Sequence, residues 1–354
     1  MTSAHTIEVS DALAELSRFD AVIDVRSPSE FAEDHLPGAL NWPVLDDEQR
    51  RLVGTLYKSS PFEARKIGAA LVARNIAKHL DAHAQELPKS WRPLVYCWRG
   101  GQRSGAMSWF LGQIGFRSRQ LQGGYKAYRA QVRLDLENLP ARLRYRVICG
   151  RTGSGKTRLL KALEVEGAQV LDLEGLACHR GSVLGALPEQ PQPSQKRFDS
   201  LLWSRMRSLD PERPVFVESE SRKIGQLRVP ESLHERMRAS STCIWVDLPE
   251  AERVTLLLQD YAHFIANPQA FCQQLDALTT LRGRDRVHGW QTMARAGEWP
   301  TVFAELMREH YDPGYERSLR NHYPQLDAAL QLPLAGASEQ EMRSAARQLL
   351  ANAN

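Results

Sequence analysis

Short apolar runs, each followed by a turn signal and then by apolar positions at helical spacing, recur along the chain. Phe19-Asp-Ala-Val-Ile-Asp-Val-Arg26 is the first and reads as a buried strand. Ser27-Pro-Ser-Glu30 then opens a helix, with Ser27 as its cap, Pro28 in the first turn and Glu30 closing a capping box. Pro93-Leu-Val-Tyr-Cys97 repeats the pattern: the strand runs into a Gly-rich loop over residues 98–103, and Ala106, Met107, Trp109, Phe110 and Leu111 continue as a helix. Between the two, residues 53–87 carry Ala, Leu, Lys and Arg at helical spacing, which predicts a helical insertion covering one side of the sheet near Cys97.

The second half has the same rhythm. Gln122-Gly-Gly-Tyr125 marks a turn, residues 134–140 form a short polar link, and Tyr145-Arg-Val-Ile-Cys149 starts a strand that feeds another Gly-rich loop. Further strands are expected at 169–172, 215–218 and 243–247, separated by helical stretches as parallel pairing requires. Residues 251–330 read as mostly helical, and Ser338-Glu-Gln-Glu341 caps a last helix to about Leu350. The fold class is therefore α/β in two domains. The first covers 1–138 with a helical insertion at about 49–90; the second covers 139–354 as a doubly wound parallel sheet with a helical C-terminal region.

Composition narrows this little. A chain of 354 residues with 25% charged and 42% hydrophobic positions suits two domains, and no apolar run reaches the roughly 20 residues of a membrane span. Residues 1–9 lack a basic segment followed by an apolar stretch, so a cytoplasmic protein is expected; separately, a monomer is expected. The net charge of +4 permits an anionic partner without demanding one. The five cysteines, at 97, 149, 178, 243 and 272, show no C-x-x-C pair, which argues against a disulfide framework or a cysteine-rich zinc site.

Two constellations carry chemistry. Cys97 ends a strand and precedes Trp98-Arg-Gly-Gly-Gln-Arg-Ser104, where loop amides, the following helix and the cations Arg99 and Arg103 favour an anion and a nucleophilic thiolate. The second, Gly150-Arg-Thr-Gly-Ser-Gly-Lys-Thr157, matches the phosphate-binding pattern G-x-x-x-x-G-K-[ST] in its strand–loop–helix context. There Gly150, Gly153, Ser154 and Gly155 wrap a diphosphate, Lys156 reaches its terminal phosphate, and Thr157 is expected to hold Mg²⁺. Val215-Phe-Val-Glu218 resembles the acid-terminated strand that supports the metal in NTPases, with Glu218 in place of the usual Asp. Asp172 is either a substrate or metal residue or a helix cap.

Asp24-Val-Arg-Ser-Pro-Ser-Glu-Phe31, His35-Leu-Pro-Gly-Ala39 and Asn41-Trp-Pro43 resemble the N-terminal signature of rhodanese domains, with Cys97 where those domains carry a persulfide. The loop departs from that pattern: Arg103 makes it C-x5-R, one residue longer than the common rhodanese loop and spaced as in cysteine phosphatases, so a phosphate-like group such as selenophosphate would fit it. A rhodanese-like loop followed by a P-loop resembles the tRNA 2-selenouridine synthases. Val53-Gly-Thr-Leu-Tyr57, Ser60-Pro-Phe-Glu-Ala-Arg65, Tyr96-Cys-Trp-Arg-Gly-Gly101, Asp172-Leu-Glu-Gly-Leu176, His179-Arg-Gly-Ser182 and Val217-Glu-Ser-Glu-Ser-Arg-Lys-Ile-Gly225 add to the likeness.

The resemblance implies conversion of 2-thiouridine to 2-selenouridine at the tRNA wobble position. Geranyl diphosphate first S-geranylates the base, and selenophosphate then supplies selenium through a selanyl group on Cys97. It also implies tRNA and the selenophosphate-producing enzyme as partners, and His179, Arg180 and Arg222 as further substrate candidates. The Arg-rich segment at 282–286, with Trp290 or Tyr311 for stacking, is a candidate RNA contact. Whether ATP is also bound stays open, because a rhodanese-type sulfurtransferase or C-x5-R phosphatase fused to an ATP-dependent kinase-like module carries the same motifs. That alternative predicts nucleotide hydrolysis dependent on Lys156.

Overall fold

The computed structural model describes residues 5–188, 190–240 and 242–352. They form two compact units, Met1–Asp135 with Ser194–Ser204, and Leu136–Pro193 with Arg205–Asn354. The helix Gln195–Arg207 follows the P-loop in sequence, yet most of it belongs to the first unit.

The first unit is built on a five-stranded parallel sheet: β1 (Thr6–Ile7), β2 (Ala21–Asp24), β3 (Ala39–Asn41), β4 (Pro93–Tyr96) and β5 (Arg119–Leu121), in the order β1-β5-β4-β2-β3. Pro93, Leu94, Val95 and Tyr96 are all buried, as expected of a central strand covered on both faces. The expected insertion is a pair of helices, Asp47–Ser59 and Pro61–His83. The second brings Ile76 into the core cluster that holds Val95, Cys97, Met107 and Leu111. The capping box at Ser27 and Glu30 is present, and it starts the helix Pro28–Glu33.

The Asp24-Val-Arg26 motif is an ion pair inside this core. Arg26 and Asp24 are fully buried, Nη2 to Oδ2 at 2.5 Å, and the guanidinium also donates to the Asp34 carbonyl at 2.6 Å and lies 3.9 Å from the centre of the Tyr125 ring. Asp34 is buried as well and accepts from Tyr125 and from Ser200 of the Gln195–Arg207 helix, each at 2.9 Å. Arg129 bonds Asp199 at 2.8 Å, and Trp203 meets the Tyr128 ring edge-on at 5.5 Å. Residues 194–204 thus complete the polar core of the first unit.

The second unit carries a second parallel sheet. Its strands are β6 (Arg144–Cys149), β7 (Gln169–Leu171), β8 (Pro214–Glu218), β11 (Thr242–Asp247) and β12 (Leu330–Pro333), in the order β12-β11-β6-β8-β7. A small antiparallel hairpin, β9 (Lys223–Ile224) with β10 (Leu227–Arg228), stands apart from it. The helix Lys156–Val165 packs with the final helix Glu339–Ala351, through Leu159, Leu160, Leu163, Met342, Ala346 and Leu349. Most of residues 251–330 is helical, around a separate aromatic core of Tyr261, Phe264, Phe271, Trp290, Trp299 and Phe303. The exception at its end is β12, an edge strand.

Candidate active site

Cys97 follows the last residue of β4 and is buried; the next turn of chain leads to the helix Gln102–Ile114. The loop is held from beneath by the turn after β5. Tyr125 N–H donates to the Cys97 carbonyl at 2.8 Å and Lys126 N–H to the Trp98 carbonyl at 2.9 Å. Gly124, at φ +55°, makes this approach possible, because a Cβ there would run into the Cys97 carbonyl oxygen and the Gly100 nitrogen. The turn Gln122–Tyr125 is therefore the floor of the cysteine loop.

Among the described residues the sulfur has one side-chain hydrogen-bond partner. The Ser104 hydroxyl donates to Cys97 Sγ at 3.1 Å, and Gln120 Nε2 fixes that hydroxyl at 3.0 Å while also bonding the Gly100 carbonyl at 2.6 Å. The two arginines behave differently. Arg99 is exposed on the loop. Arg103 lies in the first turn of the helix, where its guanidinium pairs with Glu30 at 2.8 Å and holds that carboxyl below the usual carboxylate range, against the opposing pull of burial. Glu30 thereby couples the capping box to the cysteine loop.

In the second unit the P-loop bends between β6 and the helix Lys156–Val165. Gly150, at φ +153°, sits against Val246 and Ser154, and a Cβ there would lie 2.7 Å from the Val246 carbonyl oxygen. Gly153 and Gly155 also take left-handed angles. Ser154 is buried, and its hydroxyl has no hydrogen-bond partner among the described residues. Lys156 Nζ folds back onto the Gly150 and Arg151 carbonyls, at 2.9 and 3.2 Å, and lies 4.8 Å from the centre of the Tyr315 ring. The loop residues 152–157 form one wall of a cavity of about 430 Å³, within the range of roughly 300–1,000 Å³ usual for small-molecule sites.

Three carboxyl groups meet beside this loop. Glu174, Glu218 and Glu220 each bring an oxygen within 4.8 Å of the others, and Thr157 Oγ1 donates to Glu174 Oε2 at 3.3 Å. Burial first, and then Glu220, push the Glu174 carboxyl up to about 8; burial and then Glu218 push Glu220 up to about 7. Glu218 is raised well above the ordinary carboxylate range by burial and Glu174, and neither of its oxygens has a hydrogen-bond partner among the described residues. Two orphaned, buried carboxylate oxygens among hard oxygen donors are what a divalent cation would satisfy.

The other candidates separate into those near the cavity and those away from it. Arg180 lines it, bonding the Asp260 carbonyl at 2.8 Å and resting 5.3 Å from the centre of the Tyr261 ring. His179 is buried behind this segment, where its Nδ1 accepts from the Gly181 N–H at 3.1 Å and burial lowers its pKa. Asp172 caps the helix Leu173–Ala177 by accepting from Gly175 N–H at 2.7 Å. Arg222 is on the surface in an ion pair with Glu231. Glu174 and Glu220 were not singled out from the sequence, since each looks like an ordinary acid of a helix start or a loop.

A family model described as the tRNA 2-selenouridine synthase AAA domain matches residues 143–330, and one for the rhodanese-like domain matches 8–131. A protein of Nitrosomonas europaea named tRNA 2-selenouridine synthase is 38% identical over 260 residues, 72% of this chain and 67% of that protein. Another of that name, from Nitrosomonas eutropha, is 37% identical over 271 residues, 75% of this chain and 69% of that protein. The chain belongs to the tRNA 2-selenouridine synthase family. It is thus a family of enzymes in which an N-terminal rhodanese-like domain is joined to a P-loop domain.

A third synthase, from Bdellovibrio bacteriovorus, is 38% identical over 68% of this chain and 64% of its own length, so the match spans about two thirds of these relatives. Among solved structures, the N-terminal domain of a protein from Clostridium difficile 630 described as ATP/GTP binding is 37% identical, covering 36% of this chain and 98% of that one, with a TM-score of 0.32.

For this member of the synthase family, the expected RNA contacts need revision. Trp290 is fully buried in the aromatic core and donates to Glu305 at 3.0 Å, so its ring cannot stack on a base. Arg286 pairs with Glu305 and Glu309, and Arg282 donates to His310 Nδ1 at 3.1 Å. The spacing of Val287, Trp290 and Ala294 is that of a core-facing helix stripe, and burial of apolar area decides in favour of packing. Tyr311, by contrast, lines the cavity.

Proposed function

We propose that this protein replaces sulfur by selenium in the 2-thiouridine of tRNA, with the second unit activating the sulfur and the first delivering selenium. The observation that carries this reading is the composition of the P-loop cavity. A phosphate-binding loop lines it together with Leu256, Leu257, Tyr261 and Tyr311, an apolar surface that suits the hydrocarbon chain of geranyl diphosphate. Leu257, Tyr261 and Tyr311 also border a second, small cavity with Phe303, Leu306 and Met307, extending that surface inward.

On this reading the amides of residues 152–157 and Lys156 hold the diphosphate. The thiocarbonyl sulfur bonds to the allylic carbon as the carbon–oxygen bond breaks, and the electron pair leaves on diphosphate, where fixed positive charge stabilises it. Thr157, Glu174, Glu218 and Glu220 would hold Mg²⁺, which when bound supplies further positive charge next to the diphosphate. Selenophosphate brings selenium at the selenide level, so its selenium bonds to C2 as the C2–S bond breaks and the sulfur leaves as geranylthiolate, and water then takes the phosphoryl group from selenium as phosphate. Cys97, its sulfur oriented by Ser104, stands at this delivery site with Arg99 as the exposed cation beside it. Geranylation makes the sulfur of the base a better leaving group from C2. The partner is a tRNA with 2-thiouridine at the wobble position, and the compartment is the cytoplasm, in keeping with the absence, among the described residues, of any helix long and apolar enough to cross a membrane.

The test is mass spectrometry of the wobble uridine after incubation of 2-thiouridine tRNA with the protein, Mg²⁺, geranyl diphosphate and selenophosphate. Wild type should yield 2-selenouridine, Cys97→Ala should stop at the geranylated base, and Lys156→Ala should lower both products at least a hundredfold, as expected when a charge on the leaving group is removed. Lys156-dependent ATP hydrolysis without either product would replace this reading with the kinase-like one.

A further inference from the structure

The P-loop cavity has a second set of lining residues whose chemistry does not suit a prenyl chain. His234, from the helix Glu231–Ser240, and Ser318, His322 and Tyr323, from the end of the helix Asp312–His322, all line it. They are knit together: the His234 and His322 rings meet edge-on at 5.8 Å, and His322 Nδ1 bonds the Ser318 carbonyl at 2.7 Å. Yet two of their polar atoms have no hydrogen-bond partner among the described residues. These are Nδ1 of His234, a residue only 1% exposed, and the hydroxyl of Tyr323, 2% exposed.

A buried donor or acceptor left unpaired costs about 1–3 kcal/mol, so two in one cavity call for a ligand with polar groups at that place. Neither side chain brings positive charge. Burial, then Arg238 and His322, push the His234 imidazole down to about 4, which keeps it neutral at pH 7, and burial raises the Tyr323 phenol. A neutral imidazole and a phenol suit a neutral heterocycle better than a phosphate, which the P-loop already takes. Tyr315 supplies a ring close by, its hydroxyl bonded to Ser219 at 2.6 Å.

We infer that His234 and Tyr323 form the nucleobase-recognition site for the acceptor pyrimidine, bonding its N3–H and O4 edge inside the same cavity that binds the prenyl diphosphate. The inference rests on the reading given under Proposed function and adds to it the place of the second substrate. A base read on its Watson–Crick edge must leave its stack, as in other enzymes that do chemistry on a base. Bonding O4 and N3 leaves the C2 sulfur at the remaining position of that edge, open to the allylic carbon. The imidazole accepts from N3–H, and the phenol donates to O4.

The experiment uses the full chain, an anticodon stem-loop containing 2-thiouridine, and geranyl diphosphate, with two readouts: kcat/KM for the RNA, and the Kd of geranyl diphosphate without RNA. Tyr323→Phe and His234→Phe should each lower kcat/KM about tenfold, the scale of one lost hydrogen bond to a buried group, and leave the Kd within twofold. His234→Asn, which keeps a polar atom near the place of Nδ1, should recover part of the loss. A stem-loop with N3-methyl-2-thiouridine should be a poor substrate for wild type, and His234→Phe should narrow that difference.

Unchanged kcat/KM in both Tyr323→Phe and His234→Phe would overturn the inference while leaving the donor site intact. A parallel rise in the geranyl diphosphate Kd would overturn it too, by assigning these residues to the donor. A wild-type protein that neither binds nor transfers the geranyl group overturns the reading beneath it.

Discussion

The Cys97 loop and the P-loop are the same local device, a glycine-rich bend between a buried parallel strand and a helix, but they are charged in opposite ways. Around Cys97 the polar groups are satisfied by one another: Gln120 holds Ser104, Ser104 points at the sulfur, and Glu30 holds Arg103. Around the P-loop they are not, since three acids crowd together and Glu218 has no hydrogen-bond partner for either oxygen among the described residues. The first arrangement is complete without a ligand and positions one reactive atom. The second is held in tension, and a cation and an anionic substrate would relieve it.

The largest expected effect tests how rigid the first arrangement is. Arg26→Ala leaves Asp24 charged and buried without its partner, which should destabilise the first unit by about 3–5 kcal/mol. In thermal unfolding followed by tryptophan fluorescence, the transition of the first unit should move down and that of the second should stay. A shift of both together would mean that the contrast between the units is not energetic.

A smaller effect should appear in the acid cluster. Glu174 and Glu220 have folded-state pKa values of about 8 and about 7, above the ordinary carboxylate value, so between about pH 4.5 and 8 the folded state binds more protons than the unfolded one. Their contribution to stability is present below the unfolded pKa and is lost as pH rises through the folded values. In EDTA, therefore, the melting temperature of the second unit should fall from pH 5 to 8 by roughly 5 °C, and Mg²⁺ should flatten the slope. An equal slope with and without Mg²⁺ would remove the cation from the site.

The smallest effect belongs to the sulfur. Ser104→Ala deletes the hydroxyl that donates to Cys97, and about a tenfold slower alkylation of Cys97 by iodoacetamide at neutral pH is expected, with little change in melting temperature. No change would mean that the loop acts through its backbone alone.

Both loops were legible in the sequence because their chemistry is local: the spacing of Cys97 and Arg103, and of Gly150, Lys156 and Thr157, survives without knowledge of the fold. The acid cluster was half legible. Glu218 ends an apolar strand and stands out, whereas Glu174 follows a helix cap and Glu220 lies in a loop, and only the parallel register of β7 and β8 brings them together. Asp172 had two readings, and both stand: it caps its helix and its charge also helps to raise the Glu174, Glu218 and Glu220 carboxyls. The strand β12 was missed because four residues on a sheet edge show too short an alternation to outweigh the helical stretch before them. The helix Gln195–Arg207 has the pattern of any amphipathic helix, and nothing in that pattern says which core it joins.

That helix bears on how the protein is made. A nascent chain that has emerged only as far as residue 138 already contains all five strands of the first sheet, but Ser200, Asp199 and Trp203, which bond Asp34, Arg129 and Asp135, arrive only with residues 194–204. The first unit therefore finishes folding only after the P-loop has been translated. An N-terminal fragment cut at the apparent border is expected to expose a buried carboxylate, and to be far less soluble than one that supplies residues 194–204 in trans.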